Sequence, residues 1–285
     1  MATDFILPAR DDFPLGATLF EAEVQPRQGV VVVNSATAVK RTYYAKFAAW
    51  LASQGYDVIT YDYRGIGGSR PPGSFRDFKG TLTQWGAEDF AGALEWACRE
   101  RRVEKVLVIG HSVGGQLLGL AHNVDRVSAA LCVASQSGDW RLWPTVAGKA
   151  RMALYMYALL PAVGAALGYV PGRLGMGEDL PHTVAREWAR WCRTRGYLLG
   201  DDGSRRALYE RIKAPILAFS FTDDTYAPKE TVAAWLGFFP RAQTTHRHQA
   251  PADSGSKAVG HFGFFRASAE QTLWPQAAQW LAAQR

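Results

Sequence analysis

The stretch VLVIGHSVGGQLLGL, Val106–Leu120, constrains the fold more than any other part of the chain. An apolar β-type run stops at Gly110, Ser112 follows two residues later, and Gly114 and Gly115 open a helix-like segment. Gly110-His111-Ser112-Val113-Gly114 has the spacing G-x-S-x-G. That spacing suits a sharp strand-to-helix turn whose middle residue sits in strained backbone, its side chain pushed out at the edge of a sheet. A Cβ at either flanking glycine would crowd such a turn. The plainer reading is a Gly-Ser turn whose serine caps a helix. The strand before it and the helical pattern after it favour an exposed, reactive serine.

The rest of the chain repeats the rhythm. Ala17–Val24 (ATLFEAEV) and Gly29–Ser35 (GVVVVNS) read as strands, the second an unbroken β-branched run of the kind covered on both faces. YYAKFAAWLASQG is a helix stopped at Gly55, and YDVITYDYRG is the next strand. LTQWGAEDFAGALEWACRERR is a helix with acids early and arginines late, as the helix dipole favours. GGQLLGLAHN opens a further helix, and VSAALCVAS and APILAFSFTDD are later strands. AQTTHRHQ is a weaker last strand before a closing helix, EQTLWPQAAQWLAAQ. Alternation of this kind predicts a mostly parallel sheet flanked by helices, an α/β fold.

The rhythm breaks over residues 139–211, which are helical, aromatic and punctuated by Pro144, Pro161, Pro171 and Pro181. This segment is expected to form a helical cap inserted into a core made of residues 1–138 and 212–285. Met152–Val170 is nearly long enough to span a bilayer. With Pro161, Gly164 and Gly168 inside it, it is expected to form buried cap helices. An interfacial lid in contact with a membrane and a transmembrane span are the lesser alternatives.

A serine hydroxyl needs a base, and the base needs an orienting acid. In this architecture they follow in the order serine, acid, histidine. Asp223 and Asp224 end a strand in ILAFSFTDDTYAP, and Asp139 follows the preceding strand as a third candidate. The plainer role for either of the pair is a helix N-cap. Of six histidines, His261 lies in the glycine-bounded loop AVGHFGFF, after the acid and before the last helix. His111 is expected to point away from the serine, and His122, His182, His246 and His248 read as surface or packing residues. The oxyanion of an acyl-transfer step needs backbone donors. Val113 is expected to give one, and Ala36 or Ser35, after VVVVN, the other.

Several function classes fall away. The net charge of +6, from 32 basic and 26 acidic residues, is dispersed, with no basic stripe or aromatic platform for nucleic acid. RGIGGSRP has neither the G-x-G-x-x-G spacing nor a P-loop lysine. The three cysteines, Cys98, Cys132 and Cys192, form no C-x-x-C pair, and His246 and His248 have no carboxylate or thiol beside them. Neither cofactor nor metal is expected. The N-terminal MATDFILPARDDFPLG lacks the features of a signal peptide, so the expected location is cytoplasmic. Oligomeric state is not legible.

VVVVNSA, YDYRGIGGS, GHSVGG, DDTYAP and GHFGFF, in that order, resemble the α/β-hydrolase superfamily. They are most similar to its serine-aminopeptidase-like and monoglyceride-lipase-like branch. VNSATAVKRTYY, HSVGGQLLGL and GHFGFFR are similar to a bacterial set of α/β hydrolases. The resemblance implies an α/β-hydrolase fold, Ser112 as nucleophile, His261 as base and Asp224 as acid, the last through its D-x-x-x-P spacing to Pro228. It departs at Asn34-Ser35, where many relatives carry His-Gly, which puts the oxyanion loop in question. The function implied is cleavage of a carboxylic ester or thioester of small-molecule size through an acyl-enzyme. An apolar acyl group is expected against cap aromatics among Trp140, Trp143, Tyr155, Tyr157, Trp188 and Trp191, chiefly Trp140, Trp143 and Tyr155. Acyl transfer by the same three residues, or ligand binding without catalysis, are the alternatives.

Overall fold

The computed structural model describes residues 1–174, 177–200 and 203–284. Eight strands form one sheet: β1 (Ala2–Pro8), β2 (Pro14–Phe20), β3 (Gly29–Asn34), β4 (Tyr56–Tyr61), β5 (Val106–His111), β6 (Val127–Val133), β9 (Ile216–Phe221) and β10 (Thr244–Gln249). A separate two-stranded ribbon, β7 (Tyr169–Val170) with β8 (Leu180–Pro181), lies between β6 and β9 in sequence. The spatial order is β1-β2-β4-β3-β5-β6-β9-β10. β1 and β2 run antiparallel to their neighbours, and every pairing from β4 to β10 is parallel. The α/β-hydrolase fold expected from the sequence is the fold observed.

Burial explains which strands announced themselves. β4, β5 and β9 are buried at every position, β3 at all but its first, and apolar residues make up most of each, with Asp57, Thr60 and Ser220 as polar exceptions within β4 and β9. β1, which sequence reading passed over, is an edge strand with one fully buried residue, Leu7. The strand expected over Ala17–Val24 begins earlier and ends at Phe20.

The helix expected after Ser112 is short: Val113–Gln116, then a 3-10 turn at Leu118–Leu120. Tyr209 is the physical reason. Its hydroxyl donates to the Gln116 carbonyl, the group that would accept the next helical N–H, and its ring fills the space that a Cβ on Gly119 would need. Leu120 N–H bonds to the Leu117 carbonyl instead.

Between β6 and β9 the principal element is a 22-residue helix, Val146–Leu167, long and apolar enough by composition to cross a membrane. Its middle, Tyr155–Leu159, is π-helical. The cause is Pro161, which has no N–H for the carbonyl four residues back, so the ladder shifts register. The expectation of buried cap helices is corrected here. Only Met152, Met156, Leu160 and Gly164, spaced four apart, face inward, while Leu154, Tyr157, Leu159 and Leu167 are exposed. Only 17% of the most apolar window is buried. The helix His182–Arg193 packs on it from one side, which covers a single stripe.

Candidate active site

The sheet reverses its winding between β3 and β5: β3 leads to β4 on one side, then the chain crosses to β5 on the other. Crevices at the carboxyl ends of strands flanking such a reversal are where open α/β sheets bind ligands. Ser112 lies one residue beyond β5, and Ser35, Ala36 and Thr37 lie directly beyond β3. Asp224 and His261 follow β9 and β10. Parallel pairing therefore delivers all of them to one edge.

Ser112 has φ 52° and ψ −115°, a conformation that costs on the order of 1–3 kcal/mol in a non-glycine residue. Its side chain caps no helix N–H, so the plainer reading of this serine does not hold. Its backbone N–H donates to the Val133 carbonyl at 2.9 Å, which fixes the turn against β6. A Cβ at Gly110 would lie 2.6 Å from the Gly115 nitrogen, and one at Gly114 would overlap the Asn34 carbonyl oxygen. Gly114→Ala is accordingly expected to destabilise the protein by about 3 kcal/mol, since rigid backbone must move. Urea unfolding checks this, and a wild-type midpoint would show that the turn is not so confined.

His261 Nδ1 lies 2.8 Å from Asp224 Oδ2, and the Asp224 side chain is fully buried. Asp224 Oδ1 accepts the N–H groups of Tyr226 (2.8 Å) and Ala227 (3.0 Å). Both carboxylate oxygens are thus engaged, and the orienting bond leaves His261 Nε2 as the ring's free position. Asp223 does other work: its Oδ2 accepts the Val259 N–H at 2.8 Å and anchors the loop that carries His261. Asp139 binds Arg141 and the Gly196 N–H. Ser112 and His261 line one cavity of about 70 Å3, together with Ala36, Thr37, Gln136, Trp188, Tyr226 and Phe262.

The loop after β3 is arranged in a way the sequence did not show. As the first residue of its helix, Val113 has no helical partner for its N–H. The Ala36 N–H donates to the Tyr44 hydroxyl at 2.8 Å. Tyr44 Oη in turn lies 2.8 Å from His111 Nδ1, and His111 Nε2 lies 2.9 Å from the His261 carbonyl oxygen. A carbonyl only accepts, so His111 carries its proton on Nε2 and the Tyr44 hydroxyl donates to Nδ1. Burial first, then the nearby His261 ring, holds the His111 pKa well below the usual histidine value, in keeping with this neutral tautomer. His111 thus ties the loop after β3 to the His261 backbone. The Ser35 hydroxyl is 3.4 Å from the Tyr61 carbonyl. Asn34 donates to the Gly114 carbonyl at 3.2 Å and accepts from Tyr61 Oη at 2.7 Å. It clamps the end of β3 to the turn.

The aromatics of residues 139–211 are placed differently from the expectation. Trp143 donates its indole N–H to the Thr225 carbonyl and borders a separate cavity of about 540 Å3, which Asp224 lines but neither Ser112 nor His261 does. Trp140 packs on Tyr157 and Arg141, and Tyr155 donates to the Leu174 carbonyl. None of these three borders the cavity beside Ser112, whereas Trp188, also among the expected aromatics, does. His246 and His248 both bond to Ser220 Oγ, at 2.7 Å each, on the far strands of the sheet.

These features define a class, and residues 30–271 match the model of the alpha/beta hydrolase family. The chain belongs to that family. In fold it is similar to a soluble variant of monoglyceride lipase from Saccharomyces cerevisiae, in complex with a substrate analog: TM-score 0.71, 13% identity, 100% of this chain and 94% of that one. The monoacylglycerol lipase of Paleococcus ferrophilus superposes with a TM-score of 0.63 at 16% identity, covering 95% of this chain and 99% of that one. Proline iminopeptidase from Mycobacterium smegmatis gives 0.60 at 20% identity, covering 99% and 98%. A comparison with curated protein sequences finds no match.

Proposed function

We propose that the chain is a serine hydrolase that cleaves a carboxylic ester or thioester through an acyl-enzyme. The observation that carries this is a serine in strained backbone sharing a cavity with a histidine whose far nitrogen is held by a buried carboxylate. His261 Nε2 takes the Ser112 proton as the hydroxyl attacks the carbonyl carbon. The oxyanion receives the Val113 N–H. Ala36 adds a second donor if its N–H exchanges the Tyr44 hydroxyl for substrate. His261 then protonates the leaving alcohol or thiol, and water, deprotonated by the same imidazole, releases the acid. The lipase structures of like fold support the ester reading.

A cavity of about 70 Å3 is far below the roughly 300–1,000 Å3 of ordinary ligand pockets. Acetyl to butanoyl p-nitrophenyl esters are therefore expected to exceed the decanoyl ester in kcat/KM by about 10-fold or more, given about 1–3 kcal/mol per misfitted methylene group. Steady-state kinetics across the series checks this. A preference for the long chain would place the acyl group outside this cavity, and no turnover of any member would count against ester hydrolysis.

A further inference from the structure

Gln136 stands on the wall of the Ser112 cavity and is only 7% exposed. Its amide orientation follows from its partners. Gln136 faces the Tyr226 carbonyl at 3.3 Å, and a carbonyl only accepts, so the nitrogen is on that side. Gln136 Oε1 then accepts from Gln116 Nε2 at 3.0 Å, and Gln116 Oε1 accepts from the Tyr197 hydroxyl at 2.7 Å. Gln116 and Tyr197 are buried as well. Every link is set by the one before it, and none can flip alone. At its end Gln136 has spent one amide N–H on Tyr226, and the second has no partner among the described residues.

A buried donor left unpaired costs on the order of 1–3 kcal/mol. A chain of three buried side chains holds this one in place beside the reacting serine, where Ala36, Trp188 and Phe262 supply much of the remaining wall. We infer that Gln136 is a specificity residue: its free N–H donates to an acceptor oxygen in the substrate, close to the scissile carbonyl. The preferred substrates are then small esters bearing an ether, hydroxyl or carbonyl oxygen, not plain alkyl esters. This rests on the ester-hydrolase reading above.

The acceptor can lie in the acyl part or in the alcohol part, and two matched pairs separate these. One pair is p-nitrophenyl methoxyacetate against p-nitrophenyl butanoate. The other is 2-methoxyethyl butanoate against butyl butanoate. Each pair differs by one oxygen for one methylene. The readout is the kcat/KM ratio within a pair, compared between wild type and Gln136→Met, so that intrinsic reactivity and the folded fraction both cancel. In one pair the ratio is expected to fall by about 3- to 10-fold, the worth of one hydrogen bond. The pair that responds shows which side of the ester carries the acceptor. Unchanged ratios in both pairs would overturn the inference. If Gln136→Met yields no active protein, Gln116→Met replaces it, since it removes the bond that orients Gln136 without entering the cavity. There a fall of about 2-fold or more in one ratio is expected, and no change overturns the inference equally. Wild-type protein that hydrolyses none of the four esters would sink the ester-hydrolase reading itself, whereas hydrolysis with unmoved ratios sinks only the role of Gln136.

Discussion

Ser112→Ala lowers kcat for ester hydrolysis by about 10⁴- to 10⁶-fold, the range seen when a serine nucleophile is removed from such a triad. The loss is chemical and not structural. Alanine keeps the Cβ, so the turn at φ 52° is strained no more than before, and the deleted hydroxyl caps no helix N–H. The glycines that permit the turn and the Ser112 N–H bond to Val133 are untouched. The melting temperature is therefore expected to stay within about 2 °C of wild type, as for a change of a few tenths of a kcal/mol. Steady-state kinetics and a thermal melt on the same preparation check both halves. Activity within 10-fold of wild type would remove Ser112 from the reaction, and a large drop in melting temperature would make the loss uninformative about chemistry.

Asp224→Asn lowers kcat by about 10⁴-fold, as expected when a triad acid becomes an amide. The local hydrogen bonds say why. Asp224 Oδ1 accepts two backbone N–H groups, from Tyr226 and Ala227. An asparagine in the same place must turn its one carbonyl oxygen to those donors, which leaves its NH2 facing His261 Nδ1. That nitrogen then has to accept, the ring proton moves to Nε2, and the position that should take the serine proton is already filled. Asp223→Asn retains an oxygen for the Val259 N–H and is expected to cost less than about 10-fold, the loss of part of one loop anchor. Kinetics of the two variants side by side decides between neighbouring carboxylates. A larger loss from Asp223→Asn than from Asp224→Asn would reverse the assignment.

The sequence was most legible where burial is complete. β3, β4, β5, β6 and β9 are covered on both faces, and their apolar runs leave no competing period. β1 escaped because an edge strand has little burial to record in its pattern. The turn at Ser112 was legible because backbone overlap leaves glycine as the residue that fits at positions 110 and 114. The roles of Asn34, Tyr44, Gln116 and Gln136 were not, because a neutral polar side chain has no periodicity. Its function lies in a partner far along the chain, as with Asn34 and the Gly114 carbonyl, 80 positions apart. The cap misled for a related reason. Its aromatic content is visible in sequence, but which rings face the cavity depends on how one helix leans on another, so of the expected aromatics Trp188 borders it and Trp140, Trp143 and Tyr155 do not. The outer face of Val146–Leu167 is apolar without being buried, and composition alone cannot separate those two conditions.

The account depends on a serine that a neighbouring imidazole makes nucleophilic. The most direct measurement is treatment of the folded protein with a fluorophosphonate, followed by intact mass and peptide mapping. One adduct per chain, on the peptide carrying Ser112 and absent from Ser112→Ala, is the predicted result. No adduct on well-folded wild-type protein, or an adduct that persists when Ser112 is alanine, would contradict it.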